Sequence, residues 1–266
     1  SDVYKRQLKR KTTMTKKPNK AVIDGDWIAY TAACYADNEG FDWLEERIKY
    51  DLADLSNGFD TVAVAFSCSR ADNFRRDYWP LYKANRDNKP KPQFLQDSIE
   101  FLREKAELIL ERPRLEADDL MSMLLCEGWC CIAIDKDMRT VPGWHWNPRK
   151  EDKPVEVSEA DAIAFERIQM VAGDSTDHIW GILGRGEAWA KKQNWHFPSI
   201  LQENRDAFNN PGKRYVEKRD RIINEAGISD PDEYFTSQYK CLHLLRPEED
   251  DKETGEIRHK LPWEVA

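Results

Sequence analysis

The sequence predicts an α/β protein: a mostly parallel sheet flanked by helices, followed by a helical C-terminal region. Three observations lead there. Short β-branched or apolar runs alternate with segments of helical period, the arrangement that gives parallel strands joined by crossover helices. Four short carboxylate clusters (Asp24 with Asp26, Glu116 with Asp118 and Asp119, Asp135 with Asp137, Asp174 with Asp177) each stand beside a strand end or a helix start. Beyond Trp189 the strand signals fade and helical patterns take over.

In chain order, Ala21 to Ile23 is an apolar run that stops at Asp24, and a helical pattern runs from Trp27 to about Tyr35. Trp43 to Leu55 carries apolar residues at mostly three- and four-residue spacing and is closed by Asn57-Gly58, a helix stop. Thr61 to Phe66 is a second strand, Phe94 to Lys105 a helix, and Leu108 to Leu110 a short strand. Ala117 to Glu127 reads as a helix and Cys130 to Ile134 as a buried strand ending at Asp135. Ser158 to Asp161 has capping-box spacing and opens a helix that runs to Ala172. Helices are expected over Glu187 to Lys192, Lys213 to Ala226 and Pro231 to Leu245. Asp24 and Asp135 then lie just past the C-terminal ends of strands, where open α/β sheets place their ligands.

Composition narrows the class. A chain of 266 residues with 40% hydrophobic content holds one substantial domain, or one with a smaller appendage. Its best candidate for a membrane span, Met121 to Ile134, is interrupted by Glu127 and falls short of roughly 20 residues, so no membrane association is expected. The cysteines Cys34, Cys68, Cys126, Cys130, Cys131 and Cys241 form no C-x-x-C pair and no zinc spacing with histidine. With no secretory leader recognised, reduced thiols and a cytoplasmic location are expected. The net charge of -8 hides segregation: Phe74 to Lys91 holds Arg75, Arg76, Lys83, Arg86, Lys89 and Lys91 against Asp77 and Asp87. From charge alone that strip is a solvated face, yet a local basic strip can also bind phosphate. Ser1 to Thr13 is basic and nearly free of apolar residues, and Met14 opens a plausible start. These thirteen residues read as a non-native or disordered leader and are set aside; the alternative is a basic arm that grips DNA.

If the acidic clusters converge, each carboxylate pair about 5 Å apart repels by roughly 3 kcal/mol at an effective dielectric near 20, so protons or cations must accompany them. Oxygen-only donors suit magnesium or manganese rather than zinc. Three acids within Glu116 to Asp119 exceed what a helix cap needs; Glu116 and Asp119 share a face, and Asp118 can reach a neighbouring ion. Asp174 to Asp177 also resembles a capping box. Downstream of it, Gly181 to Gly186 is a glycine turn leading into a helix, a setting that lets backbone N–H groups approach a phosphate. Asp135-Lys136-Asp137 can also be an exposed turn, and His178 reads as a helix or hairpin residue rather than a ligand. No local signature of a nucleophilic triad is present.

Five motifs in order carry a resemblance: I-D-G-D at Ile23 to Asp26, F-R-R-D-Y-W-P-L-Y-K-A-N-R at Phe74 to Arg86, E-A-D-D at Glu116 to Asp119, I-D-K-D-M at Ile134 to Met138, and G-D-S-T-D-H-I-W-G-I-L-G-R-G at Gly173 to Gly186. Together, over about Ala21 to Lys192, they resemble the 5′-nuclease family of flap endonucleases and 5′ to 3′ exonucleases. V-P-G after D-K-D-M and the ending L-L-R-P-E-E-D-D-K-E-T-G are most similar to the exonucleases of short-tailed phages. The resemblance implies a PIN-like catalytic region over residues 14–172 and a helix-hairpin-helix and C-terminal helical region over residues 173–266. It implies metal-site acids at Asp24, Glu116, Asp118, Asp119, Asp135, Asp137, Asp174 and Asp177, with Asp26 a local extra. Two magnesium ions, replaceable by manganese, would be held there, and a potassium ion at the glycine hairpin is admitted. Lys83 and Arg86 would hold the scissile phosphate, with Arg75 nearby and Tyr82 stacked on a base. Gly181, Gly184, Arg185 and Gly186 would grip the duplex backbone. The implied substrate is DNA, a duplex with a 5′ end or flap, with RNA-containing hybrids admitted and any polymerase partner unspecified. The short stretch Asp87 to Gln93 favours an exonuclease over a flap endonuclease, and a non-catalytic DNA-binding relative is the third reading. The chain departs from the pattern at Ser67-Cys68, where an acid is usual, at His178 and Trp180, which replace the usual Asn and Pro, and at Arg185, which replaces an apolar residue.

Overall fold

Ala21, Val22 and Ile23 are buried on both faces of a strand, as the central strand of a covered parallel sheet requires. This is β1 (Lys20–Asp24) in the computed structural model, which describes residues 17–87, 89–192 and 195–263; the leader Ser1 to Thr13 and Met14 lie outside the described residues. The sheet runs β3-β2-β1-β4-β5-β6, formed with β2 (Thr61–Ala65), β3 (Leu108–Leu110), β4 (Cys130–Ile132), β5 (Gly143–Trp146) and β6 (Val155–Val157). All pairings are parallel except β5 with β6. Chain order reverses between β1 and β4, so the crevice at their C-terminal ends is a topological switch point. Asp24 closes β1, and Asp135 lies three residues beyond the end of β4.

Side-chain alternation along β1 sorts the core into two layers. Ala21 and Ile23 pack with α1 (Gly25–Glu39), α2 (Asp42–Ser56) and α4 (Leu95–Lys105), whereas Val22 faces α5 (Ala117–Cys126) and the tail residues Leu244 and Leu245. Asp24 caps α1 by accepting the Trp27 N–H at 3.0 Å. Gly25 is needed at that junction, because a Cβ there would lie 2.7 Å from both the Ala65 carbonyl oxygen and Val64 Cγ1. A third core gathers Met170 and Val171 of α6 (Glu159–Ala172) with Phe197, Ile200 and Phe208 of α8 (Phe197–Asn209) and Tyr234 and Phe235 of α10 (Pro231–Leu242), around Trp79, Tyr82 and Trp180. α9 (Val216–Ala226) joins it through Ile222.

Most expected elements stand within a few residues of their sequence bounds. Three were missed. β5 and β6 are short and broken by polar residues, His145 and Glu156. α8 turns the polar Asn204 inward, where it donates to the Pro231 carbonyl at 2.7 Å and interrupts the apolar stripe. The basic strip is not one helix: α3 (Arg75–Tyr78) stops before Pro80, and Lys83 then adopts φ 54° ahead of a 3-10 turn, Ala84–Arg86. The helix expected from Lys213 starts as a 3-10 turn and becomes α-helical at Val216. The helix expected to reach Leu245 ends at Leu242, freeing Leu244 and Leu245 to enter the core beside α5. All six cysteines are free thiols. No helix among the described residues is long and apolar enough to cross a membrane.

The chain beyond α10 is fastened by a buried charge triad. His243 bonds Glu166 Oε1 and Glu249 Oε2, each at 2.8 Å. Burial opposes charge on His243, but the two carboxylate bonds outweigh it and raise its pKa; burial likewise opposes Glu249, which His243 pulls down to about 2. His243→Leu leaves two buried carboxylates facing each other without their cation and should cost about 3–5 kcal/mol in urea unfolding. Adding Glu249→Gln should recover part of that loss, and additive losses would show that the triad is not a unit.

Candidate metal centre

The switch point opens into a cleft of about 170 Å³ whose walls include Asp24, Asp26, Glu116, Asp118, Asp135, Asp137 and Asp177 together with Arg75, Tyr82, Lys83 and Arg86. Parallel strands carry the first acids there: Asp24 at the end of β1 and Asp135 just past β4. Glu116 caps α5, and Asp118 lies in its first turn, where the helix N-terminus favours negative charge. Asp137 starts the 3-10 turn after Asp135, whose Oδ1 accepts the Asp137 N–H at 2.9 Å. Asp174 and Asp177 come from the loop after α6. No helix starts at Asp174. Its Oδ1 accepts the N–H groups of Thr176 and Asp177 at 2.6 and 3.4 Å, and its backbone pairs with Ile179, which closes a tight turn.

Charge is divided unevenly across the cleft. On one side Lys83 Nζ lies 2.6 Å from Glu116 Oε1 and 3.4 Å from Asp177 Oδ2, and Arg86 Nη2 lies 2.5 Å from Asp177 Oδ1. The Tyr82 hydroxyl donates to Glu116 Oε2 at 2.7 Å. Although burial works against ionisation, Lys83 and Arg75 hold Glu116 at about 2. Burial likewise opposes the Lys83 ammonium, and Glu116 and Asp177 raise its pKa regardless.

The other side lacks such partners. Burial, then Asp26 and Asp135, push Asp24 up to about 7 against the Trp27 N–H bond. Burial, then Asp135 and Asp24, push Asp118 well above the usual carboxylate range. Burial, then Asp135 and Asp174, raise Asp137 to about 8. Lys136, a largely exposed side chain, lies on this side 3.8 Å from Asp174 Oδ2. Among the described residues no three of these groups stand in a ready-made coordination shell. Crowded carboxylates that keep protons in place of counter-charge, with oxygen as the only donor, fit a hard divalent cation such as magnesium or manganese.

Not every residue expected at the site is free to serve it. Asp119 is fully buried and takes both Arg75 guanidinium nitrogens at 2.7 Å, so it anchors an internal ion pair and does not line the cleft. Its three-residue spacing from Glu116 serves a capping box instead, with Asp119 Oδ2 accepting the Glu116 N–H. Arg75 is 1% exposed and, although it borders the cleft, its guanidinium is committed to Asp119. Tyr82, also 1% exposed, presents no ring for stacking; its hydroxyl orients Glu116. Asp26, expected only as an extra acid, lines the cleft and accepts the Ser67 N–H at 3.2 Å. Ser67, standing where an acid is usual, accepts the Ala117 N–H at 2.9 Å and secures the start of α5. Cys241 and Leu244 also reach the cleft from the C-terminal segment, and no local signal in the sequence links them to it.

The glycine turn divides in the same way. Gly181 (φ 56°) packs against Gly173, whose nitrogen would lie 2.3 Å from an added Cβ, and its carbonyl accepts the Tyr234 hydroxyl at 2.7 Å. Gly184 (φ 82°) backs onto the Tyr215 ring. Arg185 pairs with Glu203 at 2.7 Å and lies over Trp189. Gly186 is open and caps the short α7 (Glu187–Ala190), which ends before the expected Lys192.

Comparison with known proteins gives two kinds of likeness. The exonuclease of Escherichia phage T7 and the exodeoxyribonuclease of Enterobacteria phage T3 are each 27% identical over 193 residues, which cover 62% of this chain and 63% of theirs. The match therefore spans just under two thirds of those relatives. Among solved structures, the zinc-bound T5 5′-exonuclease aligns with a TM-score of 0.56 at 17% identity, covering 85% of this chain and 89% of its own. The catalytic core of Rad2 in complex with a DNA substrate aligns with a TM-score of 0.54 at 16% identity, covering 92% and 83%. No protein-family profile matches. The fold is the PIN-like fold that this chain shares with these solved structures.

The protonated acids make a pH prediction. Carboxylates raised above their ordinary value near 4 hold protons that the unfolded chain releases. Their contribution is therefore fully present below about pH 4 and is lost as pH rises through about 7 for Asp24 and about 8 for Asp137. In EDTA the melting temperature should fall between these limits, and magnesium should raise it most at the alkaline end. A magnesium effect independent of pH, in thermal melts across that range, would rule out these acids as the responding groups.

Proposed function

We propose that the chain is a divalent-metal-dependent 5′ to 3′ exodeoxyribonuclease that hydrolyses phosphodiesters from DNA 5′ ends. One observation carries this reading: carboxylates from four separate segments converge at the switch point of the sheet, with Lys83 and Arg86 in the same cleft beside Glu116 and Asp177. The names of the phage relatives and of the T5 neighbour support it. DNA as partner is supported by the DNA-bound Rad2 core.

In this reading Asp24, Asp118 and Asp135, which share one end of the cleft, would hold one magnesium ion, and Asp137, Asp174 and Asp177 a second, with manganese able to replace either. Bound there, the ions would supply an activated water and charge stabilisation for the leaving 3′ oxygen during in-line attack. Asp26 adds negative charge beside them. Glu116, tied to Lys83 and Tyr82, would set the position of the ammonium.

Lys83 keeps its proton throughout the neutral range, which makes it a fixed positive charge and unsuited to act as a base. A phosphodiester entering the cleft would take over carboxylate contacts of Lys83 and Arg86, exchanging one set of charge-assisted bonds for another. Such a charge acts most where negative charge develops. Arg75 and Tyr82 contribute from inside, by holding Asp119 and Glu116. Open backbone at Gly186 and the turn at Gly184 would meet the duplex backbone without reading sequence. The catalytic region would correspond to residues 14–172 and the duplex-gripping region to residues 173–266. Between Arg86 and α4 no helix stands among the described residues, which leaves little material for a threading arch and favours an exonuclease over a flap endonuclease.

Release of mononucleotides or short oligomers from 5′-labelled linear duplex, a 5′ flap and single-stranded DNA, with and without magnesium, tests the proposal. Magnesium-dependent release from the duplex end supports it, a preference for the flap favours the endonuclease, and no release from any substrate leaves a DNA-binding relative. Asp135→Asn should abolish cleavage while leaving metal-free stability level or higher, because it removes repulsion as well as a ligand; near-normal turnover would remove Asp135 from the ligand set. Lys83→Ala should lower the single-turnover rate at saturating DNA by roughly 10²–10³ while reducing the salt dependence of binding by only about one unit. An unchanged rate with weaker binding would make Lys83 a docking residue.

A further inference from the structure

Residues 79–86 and 174–180 meet at the mouth of the cleft and are fastened to each other through backbone groups. Trp79 Nε1 donates to the His178 carbonyl at 3.0 Å, and the Lys83 N–H donates to the Asp177 carbonyl at 2.9 Å. The His178 Nδ1–H donates to the Leu81 carbonyl at 3.0 Å. Lys83 and His178 both occupy the left-handed region, at φ 54° and 60°, where a side chain crowds its own backbone and the surrounding structure must impose the conformation. The His178 segment is held from behind: its ring packs against Trp180, centroids 5.2 Å apart, and the Trp180 N–H donates to buried Gln238 Oε1 at 2.8 Å.

We infer that His178 is the positioning residue for Lys83. Its ring nitrogen holds the carbonyl two residues before Lys83, and the carbonyls of His178 and Asp177 receive Trp79 and Lys83 on either side of that point. This three-bond clasp keeps Lys83 left-handed, the conformation from which its ammonium reaches between Glu116 and Asp177. A residue that merely made the turn would need the positive φ but not the ring nitrogen. The inference rests on the reading that Lys83 acts on the scissile phosphate, and its test is built to fail separately from that reading.

Two substitutions separate the roles. Asparagine tolerates the left-handed region and carries an amide nitrogen the same number of bonds from the backbone as Nδ1; glycine accepts the conformation freely and has no donor. His178→Gly should lower the single-turnover rate at saturating duplex DNA about tenfold or more, as a small misplacement of a reacting group does, while DNA affinity stays within about twofold of wild type, the change one relaxed phosphate contact allows. In the metal-free protein its Lys83 should be acetylated faster by N-hydroxysuccinimidyl acetate than in wild type, read by mass spectrometry against the other lysines. His178→Asn should restore both readouts. Should the glycine variant not fold, Trp79→Phe removes the indole donor to the same residue, keeps an aromatic ring in the core, and should show the same pair of effects. A wild-type rate together with unchanged Lys83 acetylation in the variant that folds, or an asparagine variant no better than glycine, would overturn the inference. If wild type itself shows no magnesium-dependent cleavage, the functional reading fails and the acetylation of Lys83 alone decides the positioning claim.

Discussion

The buried pair of Arg75 and Asp119 is the joint on which the site is assembled. Both side chains are at most 1% exposed and meet through two bonds of 2.7 Å. Arg75 Nε also donates to the Cys241 carbonyl, and Asp119 accepts the N–H groups of Glu116 and Leu245. Three distant segments are thereby tied to one point: the basic strip, the start of α5 and the C-terminal tail. Desolvating two charges is expensive, so such a pair is weak evidence for stability by itself. Its geometry gives it another use, because it sets the first turn of α5, from which Glu116 and Asp118 enter the cleft.

From that joint outward, charge compensation is graded. Asp119 is paired inside the protein with Arg75, and Glu116 is held ionised at the cleft wall by Lys83 and Arg75, while Asp177 is still raised by burial although Lys83 and Arg86 stand beside it. Asp24, Asp118 and Asp137 keep protons instead. A site arranged in this way has a filled half and an unfilled half. The unfilled half is where a divalent cation releases most repulsion. The same grading accounts for the basic strip, several of whose cations turn inward on an acidic wall and do not form a uniform solvated face.

The helical region is not an appendage hung on the sheet. Trp79 and Tyr82, from the strip beside the cleft, belong to the same core as α6, α8 and α10, and Leu244 and Leu245 return from α10 into the core under α5. The buried triad of His243, Glu166 and Glu249 secures that return.

Much of this was legible locally. The apolar run Ala21 to Ile23 ended at a carboxylate, the second and fourth strands were β-branched or apolar, and the acids were recognisable by their places beside strand ends and helix starts, because side-chain period and capping are properties of a few neighbouring residues. The resemblance also placed Asp119 among the metal acids, Arg75 near the scissile phosphate and Tyr82 against a base. The buried pairings the structure gives these residues were not legible for one reason: partners 44 residues apart for Arg75 and Asp119, and 34 apart for Tyr82 and Glu116, leave no mark in the spacing of either segment. Asp26 shows the converse, since its value at the cleft depends on Ser67 across the β1–β2 edge. Composition and periodicity determined that a parallel sheet would carry acids at its strand ends. Only the tertiary structure decided which acids meet cations, which keep protons and which are spent on holding the fold, because burial and long-range pairing set the energy of a charge far more strongly than its sequence neighbours do.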